Sequence, residues 1–537
     1  MRICVFQSSF EELQASVGDS QELCMNPGQH ITQHEITHKT IHKETARAQI
    51  DEAVSEGHDF YLNLMWGTHD DSLAGVDAIR YFESLNLPAA GIQSSEREQS
   101  KQDFLATAKA AGQPRIPGTT EFPLFVKPAS SYGSMFIDEH SLCQNEDELS
   151  SCIKKMNRQM RPVRVLRAQA VGNPDPDLYA DTLEAAGRHS SDLVVQEFIG
   201  GEEYSVVVIA MGETPWPLNP QHAKYKQEDG KAPFLTLDLK FDEESCYELL
   251  NESDDPELWQ HLQETAVQAF TTNKMHTNYM GCDVDMRIGL DGKAYVIEVD
   301  PLPVFFYPMG SQLEDTDVQR SFPGSYRAVL NTYITNYFLK NPDRRGLNRD
   351  ELDGQSESVF RNGNGQAMTI QEMSEIAMLR SYRGTLLDIG RRDGGIARLL
   401  QSIPQNEITT LTGVDISSED TQTCQEDTPY AHAHHMKLEV YLSQMTEPVD
   451  HIICNLTVQY LPIEGLDFAL ARFFQLARKS ITMVVSQKVL VSGSVRGPLN
   501  EIRESIKTFQ IPSDWTIAPR DGSDGLEWLF SFERKLR

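Results

Sequence analysis

At 537 residues the chain is too long for one hydrophobic core, and its 39% hydrophobic content is enough for several globular ones. The 79 acidic against 48 basic residues leave a formal charge of -31, which opposes binding to nucleic acid phosphates or anionic membrane surfaces. Any phosphate chemistry must then rest on local lysines or metal ions.

No stretch approaches the roughly twenty apolar residues of a membrane span, and the opening "MRICVFQSSF" lacks the features of a signal peptide. Eight cysteines are scattered without C-x-x-C pairs, which argues against a zinc site or a disulfide framework. These features predict a cytoplasmic protein with reduced thiols.

The first hundred residues alternate strands ("RICVFQ", "DFYLNLMW") with helical stretches ("TARAQIDEAVSEG", "GVDAIRYFESL"), the pattern of a small parallel sheet. Within them "HITQHEITHKTIH" spaces four histidines by four. Its Ile and Thr content favours a strand, where residues four apart lie about 13 Å apart and cannot converge on a metal. A solvated strand and loop is the expectation there.

Residues 101 to 340 predict a second α/β unit with long strands, "FPLFVKPAS", "DLVVQEFIGGEEYSVVVIAM" and "KAYVIEVDP". Lys127 ends the first, followed by small residues through Ser134 whose backbone amides can cover phosphates while the lysine neutralises them. A lysine before proline also ends many ordinary strands. In "VVQEFIGGEEYSV", Gln196, Glu197 and Glu203 are placed to read a base and a ribose, and "PLNPQHAKYKQEDG" offers Lys224 on a flexible loop. The segment "GCDVDMRIGLDGKAYVIEVDP" reads as a hairpin. Asp283, Asp285 and Arg287 share one face of its first strand, and Glu298 and Asp300 share a face of its second. Three carboxylates facing one space suit Mg²⁺, which prefers oxygen ligands.

Taken together, these motifs over residues 1 to 340 resemble the ATP-grasp superfamily, most closely the D-alanine:D-alanine ligase branch. The resemblance implies that Lys101 and Lys127 contact the phosphates of ATP, with Ser131 and Gly133 in the covering loop. It places Gln196 and Glu197 at the adenine edge, the Ile199 backbone at the hinge and Glu203 at the ribose. Lys224, in an "AKY" sequence shared with the family, would reach the phosphates from a lid. Asp285, Glu298 and Asp300 match the ligands for Mg²⁺ or Mn²⁺. Four departures stand out. The third metal ligand is usually Asn, and the arginine expected two residues before the first metal aspartate is Asp283. The glycine-rich loop is short, and "PLPVFFYP" replaces the small polar residues that hold a second D-alanine. Arg287 either supplies the missing positive charge for catalysis or pairs with Asp283.

Residues 341 to 366, within "LKNPDRRGLNRDELDGQSESVFRNGNGQ", read as a polar linker. From 367 to 537, "TIQEMSEIAMLRSY" reads as a helix, and "TLLDIG", "LTGVDIS", "VDHIICNL", "SITMVVSQKV" and "EWLFSFERK" as strands of a doubly wound sheet. "TLLDIGRRDGGIARLL" is a strand, a glycine-containing turn and a helix, and Asp415 ends a strand 27 residues after Asp388. This resembles class I S-adenosylmethionine-dependent methyltransferases. The resemblance implies Asp388, Gly390 and Gly394 around the methionine part, Asp415 at the ribose and Asn455 facing the methyl acceptor. Arg391 and Arg392 stand where the family usually has a small residue and then glycine.

The expectation is thus an α/β, multidomain chain. A pre-ATP-grasp domain over 1–100 precedes an ATP-grasp domain over 101–340, a linker over 341–366 and a Rossmann-like methyltransferase domain over 367–537. The expected function is carboxylate-amine ligation through an acyl phosphate, coupled to N- or O-methylation. Two rivals are a ligase carrying a degenerate methyltransferase scaffold and a non-enzymatic ATP sensor. The expected partners are small molecules, with no nucleic acid and no membrane, and a homodimer is compatible with the sequence.

Overall fold

The computed structural model describes residues 1–11, 24–69, 71, 73–130, 134–170, 172–225, 234, 246–311, 314–345, 381–391, 394–416, 430–455, 457–486, 499–521 and 527–535. Two compact units emerge, Met1–Ala210 with Pro215–Gln319, and Met211–Thr214 with Arg320–Arg537. The expected loop residues Ser131 and Gly133, Arg392, most of the linker and the helix expected over 369–382 lie outside the described residues, save for the last two positions of that helix.

The first unit opens with a four-stranded parallel sheet whose order is Glu35–Ile41, Arg2–Ser8, Phe60–Leu64, Ala89–Gly91. Ile3 to Phe6 are all fully buried, as an uninterrupted apolar run in a central parallel strand requires. Glu35–Ile41 is a strand as expected, but His34 beside it is buried and His38 bonds to Gln7, so the stripe is partly internal.

Two antiparallel sheets follow. The smaller joins Leu142–Cys143, Leu124–Pro128 and Leu193–Glu197. Its Leu124 and Val126 pack with Cys152, Ile153 and Met156 of the helix Glu146–Ala170. The alternation of the strand turns Lys127 to the other face. The larger sheet runs Cys246–Leu249, Gln221–Lys224, Glu203–Met211, Gly281–Ile288, Ala294–Asp300, with Thr214–Pro217 pairing on Glu203–Met211. Cys282, Val284 and Met286 point into a core shared with the helices Lys101–Ala111 and Pro256–Thr272.

The second unit is built on a seven-stranded sheet. Its order is His432–His435, Glu407–Asp415, Arg383–Ile389, Val449–Asn455, Ala477–Ser486, Glu527–Arg534, Trp515–Asp521. The first five strands are parallel and the last two antiparallel. The chain order reverses between Glu407–Asp415 and Val449–Asn455, on either side of Arg383–Ile389, and ligands of open α/β sheets bind at such a switch point. The helix Ser325–Lys340 belongs to this unit, although the sequence reading ended the first half at 340. It packs on the helix Ile463–Leu476, where Arg327 makes two contacts of 2.9 and 2.7 Å to Asp467 and Asn331 a third of 2.6 Å. Among the described residues, no helix is long and apolar enough to cross a membrane.

Candidate active site

The carboxylates Asp285 and Glu298 are brought opposite one another by strand register, and Asp283 opposite Asp300. A bulge makes this pairing possible. Ala294 and Val296 face the core, so unbroken alternation would send Glu298 and Asp300 into it as well. The register instead skips Ile297, and the parity of the strand changes. Glu298 and Asp300 therefore join Asp283, Asp285 and Arg287 on the face away from the core.

Two lysines meet this face. Lys101 opens its helix behind a Ser100 and Asp103 capping box, and its backbone N–H donates to Ala129 O at 2.7 Å. Its ammonium lies 2.9 Å from Glu298 Oε1. Lys127, 3% exposed, donates to the Ile297 carbonyl at 3.1 Å. Burial pulls the Lys127 ammonium down to about 8, against the opposing charge of Glu298. Glu96, Arg97, Ser100, Lys101, Glu298 and Asp300 line one cleft.

At the far end of the same strand Arg287 is committed to the connection around residues 199 to 203. Its Nε donates to Ile199 O and its Nη2 to Gly201 O, each at 2.7 Å, and Nη1 meets Glu203 at 2.6 Å. The guanidinium also lies 4.9 Å over Phe198. Arg287 is thus held at the hinge by Glu203, and its reach to the reacting end is taken up by these bonds. The Gln196 side chain is 3% exposed, and among the described residues its Oε1 has no hydrogen-bond partner. A buried carbonyl oxygen of that kind is costly unless a donor arrives, and an adenine amino group is such a donor. Glu197 turns back instead, accepting from the backbone N–H groups of Thr120 and Glu121 at 3.3 and 3.2 Å. Lys224 ends a strand paired with Cys246–Leu249, where a flexible loop was expected, because both of its neighbours supply ladder partners.

The donor set suits a hard divalent cation, with three carboxylates available on one sheet face. Among the described residues, however, no group of three or more His, Cys, Asp or Glu side chains converges closely enough to hold a metal ion. Lys101 neutralises Glu298, and Asp300 Oδ1 accepts from Leu302 N at 3.0 Å. Arg97 was not legible as a cleft residue, since it stands in no motif, and Ser205 lies within "VVQEFIGGEEYSV" with no role read for it. Ser205 Oγ donates to Asp283, and Asp317 is 1% exposed.

In the second unit Gly390 and Arg391 follow the central strand, Gly394 caps the helix Gly395–Ser402, Asp415 ends the neighbouring strand and Asn455 ends the strand on the other side. Gly390, at φ +74°, lies so close to Thr457 that a Cβ would fall 2.0 Å from its Oγ1. Asp388 is fully buried, and the Tyr430 hydroxyl donates to its Oδ2. Burial pushes the Asp388 carboxyl up to about 6. Arg391, 2% exposed, lies 5.8 Å over the Tyr430 ring, and Gly413 leaves room for its Cδ and for that ring. Asp415, the residue expected at the ribose, ends the strand Glu407–Asp415. The buried Arg391 guanidinium and the Asp388 carboxylate bonded to Tyr430 lie at the strand end where the methionine part was expected.

A prediction follows for Asp388. Its carboxyl titrates near 6 when folded against 3.8 unfolded, so its contribution to stability is full below 3.8 and is lost as pH rises through 6. Asp388→Asn needs no ionisation. Between about pH 5 and about pH 8, urea unfolding of the two proteins should shift in favour of the variant by about 1–1.5 kcal/mol, the rest of the roughly 3 kcal/mol being lost already below pH 5. A difference that stays flat with pH would mean that Asp388 ionises in the ordinary range.

No family model matches the sequence, and no curated protein matches it. Among solved structures, an L-amino acid ligase from Bacillus licheniformis is similar at 16% identity, covering 62% of this chain and 74% of the other, with a TM-score of 0.36. The VanG D-Ala:D-Ser ligase from Enterococcus faecalis is similar at 14% identity, covering 63% and 99%, with a TM-score of 0.39. A magnesium protoporphyrin IX methyltransferase from Synechocystis PCC 6803 with bound SAM is similar at 14% identity, covering 35% and 95%, with a TM-score of 0.26.

Proposed function

We propose that the first unit is an ATP-dependent carboxylate-amine ligase of the ATP-grasp type. The observation that carries this reading is the Asp285 and Glu298 register pair, with Lys101 and Lys127 beside it. Asp285 and Glu298, paired across the ladder, would hold Mg²⁺ together with the phosphates of ATP, and it would supply charge neutralisation for the transferring phosphoryl group; Asp300, the third expected ligand, accepts from Leu302 N instead. Lys127 and Lys101 bind and orient the phosphates, Lys224 adds charge from the neighbouring strand, and Gln196 accepts from the base. The Arg287 and Glu203 clamp fixes the connection against which base and ribose rest. Phosphorylation of a carboxylate gives an acyl phosphate, an amine attacks its carbonyl, and phosphate leaves with the bonding pair. Positioning and fixed charge carry such chemistry.

For the second unit, the burial of Arg391 against Tyr430 and Asp388 favours a methyltransferase-like scaffold over coupled methylation. The full chain incubated with ATP, Mg²⁺, S-adenosylmethionine and pooled amino acids should release phosphate only when a carboxylate and an amine are both present. Mass analysis should show a condensed product without an added methyl group. Phosphate release without an amine would overturn the ligase, and a methylated product would restore the coupled reading.

A further inference from the structure

Both lysines of the proposed phosphate site are referred to one residue. Pro128 has no N–H, so the first donor of the strand Leu124–Pro128 beyond Lys127 is Ala129, whose N–H donates to Asp192 O at 2.8 Å. The carbonyl of the same residue accepts from Lys101 N at 2.7 Å. Gln102, next to Lys101, donates through Nε2 to the Ser190 and Leu193 carbonyls, which flank Asp192. The backbone at Asp192 is thus the common support of Lys101 and Lys127. Asp192 is itself held by a buried arginine. Arg164, on the helix Glu146–Ala170, donates from Nε to Asp192 Oδ2 at 2.6 Å and from Nη2 to Oδ1 at 3.0 Å, and Nη2 also donates to Asn157 Oδ1 at 3.0 Å. Ser190 Oγ donates to Asp192 Oδ1 at 2.6 Å. Arg164 is 1% and Asp192 5% exposed, and neither lines the cleft that Lys101 shares with Glu298. A buried ion pair adds little net stability, because apolar side chains of similar volume pack as well. What the two-bond fork adds is a fixed geometry.

We propose that Arg164 is a positioning residue of the ligase, which through Asp192 and Ala129 sets the placement of Lys101 and Lys127 for the phosphates of ATP. This rests on the ligase reading above. Arg164 touches no substrate. Its fork fixes the Asp192 carboxylate, the Asp192 carbonyl fixes Ala129, and Ala129 steadies Lys127 along the strand and Lys101 through its own carbonyl. Two ammonium groups that must meet one anion bind it best when neither has to be reorganised. The base end is spared, because Gln196 is paired with Phe125 further along the same ladder.

Equilibrium binding on the full chain, with Mg²⁺ present, tests this by comparing a non-hydrolysable ATP analogue with adenosine. Arg164→Met/Asp192→Leu replaces the ion pair by apolar side chains, a change that buried pairs tolerate. The affinity ratio of analogue to adenosine should fall about tenfold in it, with adenosine binding within about twofold of the wild type. Arg164→Lys keeps the charge and loses the fork. It should lower the ratio by about threefold, and it decides the matter should the double variant fail to fold. An unchanged ratio in the deciding variant, or equal losses for analogue and adenosine, overturns the positioning role and leaves the ligase standing. Failure of the wild-type chain to bind the analogue more tightly than adenosine removes the ligase reading and this one with it.

Discussion

Asp285→Asn and Glu298→Gln each lower ATP-dependent amide formation by about a hundredfold to a thousandfold, the scale on which removing one preorganised charge from a reacting centre acts. Both substitutions keep shape and remove charge, so folding is spared and phosphoryl transfer is not. They differ in a second readout. Glu298 is the ion-pair partner of Lys101 at 2.9 Å. Its neutralisation leaves that ammonium to the phosphates, so affinity for ATP without Mg²⁺ should rise in Glu298→Gln and stay level in Asp285→Asn. Steady-state phosphate release and equilibrium binding of a non-hydrolysable analogue check the two parts. Near-normal turnover in either variant would remove that residue from the reaction.

A fragment of residues 341–537 should fail to unfold cooperatively, whereas one of residues 320–537 should do so. The linker composition invites a cut at 340, but that cut removes the helix Ser325–Lys340 from the unit to which it belongs. Leu330, Tyr333, Ile334 and Tyr337 leave with it. Asp467, fully buried, loses both Arg327 and Asn331. Breaking a buried ion pair on one side costs about 3–5 kcal/mol, against a typical total of about 5–15 kcal/mol. Thermal unfolding followed by circular dichroism distinguishes the fragments. The milder Arg327→Ala in the full chain should show the ion-pair loss without the loss of packing. A cooperative transition in the shorter fragment would mean that the helix is dispensable.

The strands of both units were legible where apolar runs are bounded by turn residues, as in "RICVFQ" and "TLLDIG". In the second unit two strands were not. His432–His435 is a short polar edge strand, and Trp515–Asp521 contains a proline, so neither carries the pattern that marks a buried strand. The helix Ser325–Lys340 was not read from the sequence as part of the second unit, because it is buried around most of its circumference and has no polar face to show which side it packs.

The sequence by itself determined the inventory of the candidate site: Lys101, Lys127, Gln196, Asp285, Glu298 and Asp300 are the residues it proposes, and a period of two puts Glu298 with Asp300 on one face. It did not determine which face, because a bulge is a property of two paired strands and has no signature in either one. Only the ladder shows that Ile297 is skipped, that Asp285 meets Glu298 and that Lys127 takes the Ile297 carbonyl. The partners of single charges were also decided by tertiary structure. Arg287 went to Glu203 and the hinge carbonyls, and Arg391 went inward over Tyr430. A charge is satisfied by whatever the packing brings within reach, and residue spacing along the chain does not encode that distance.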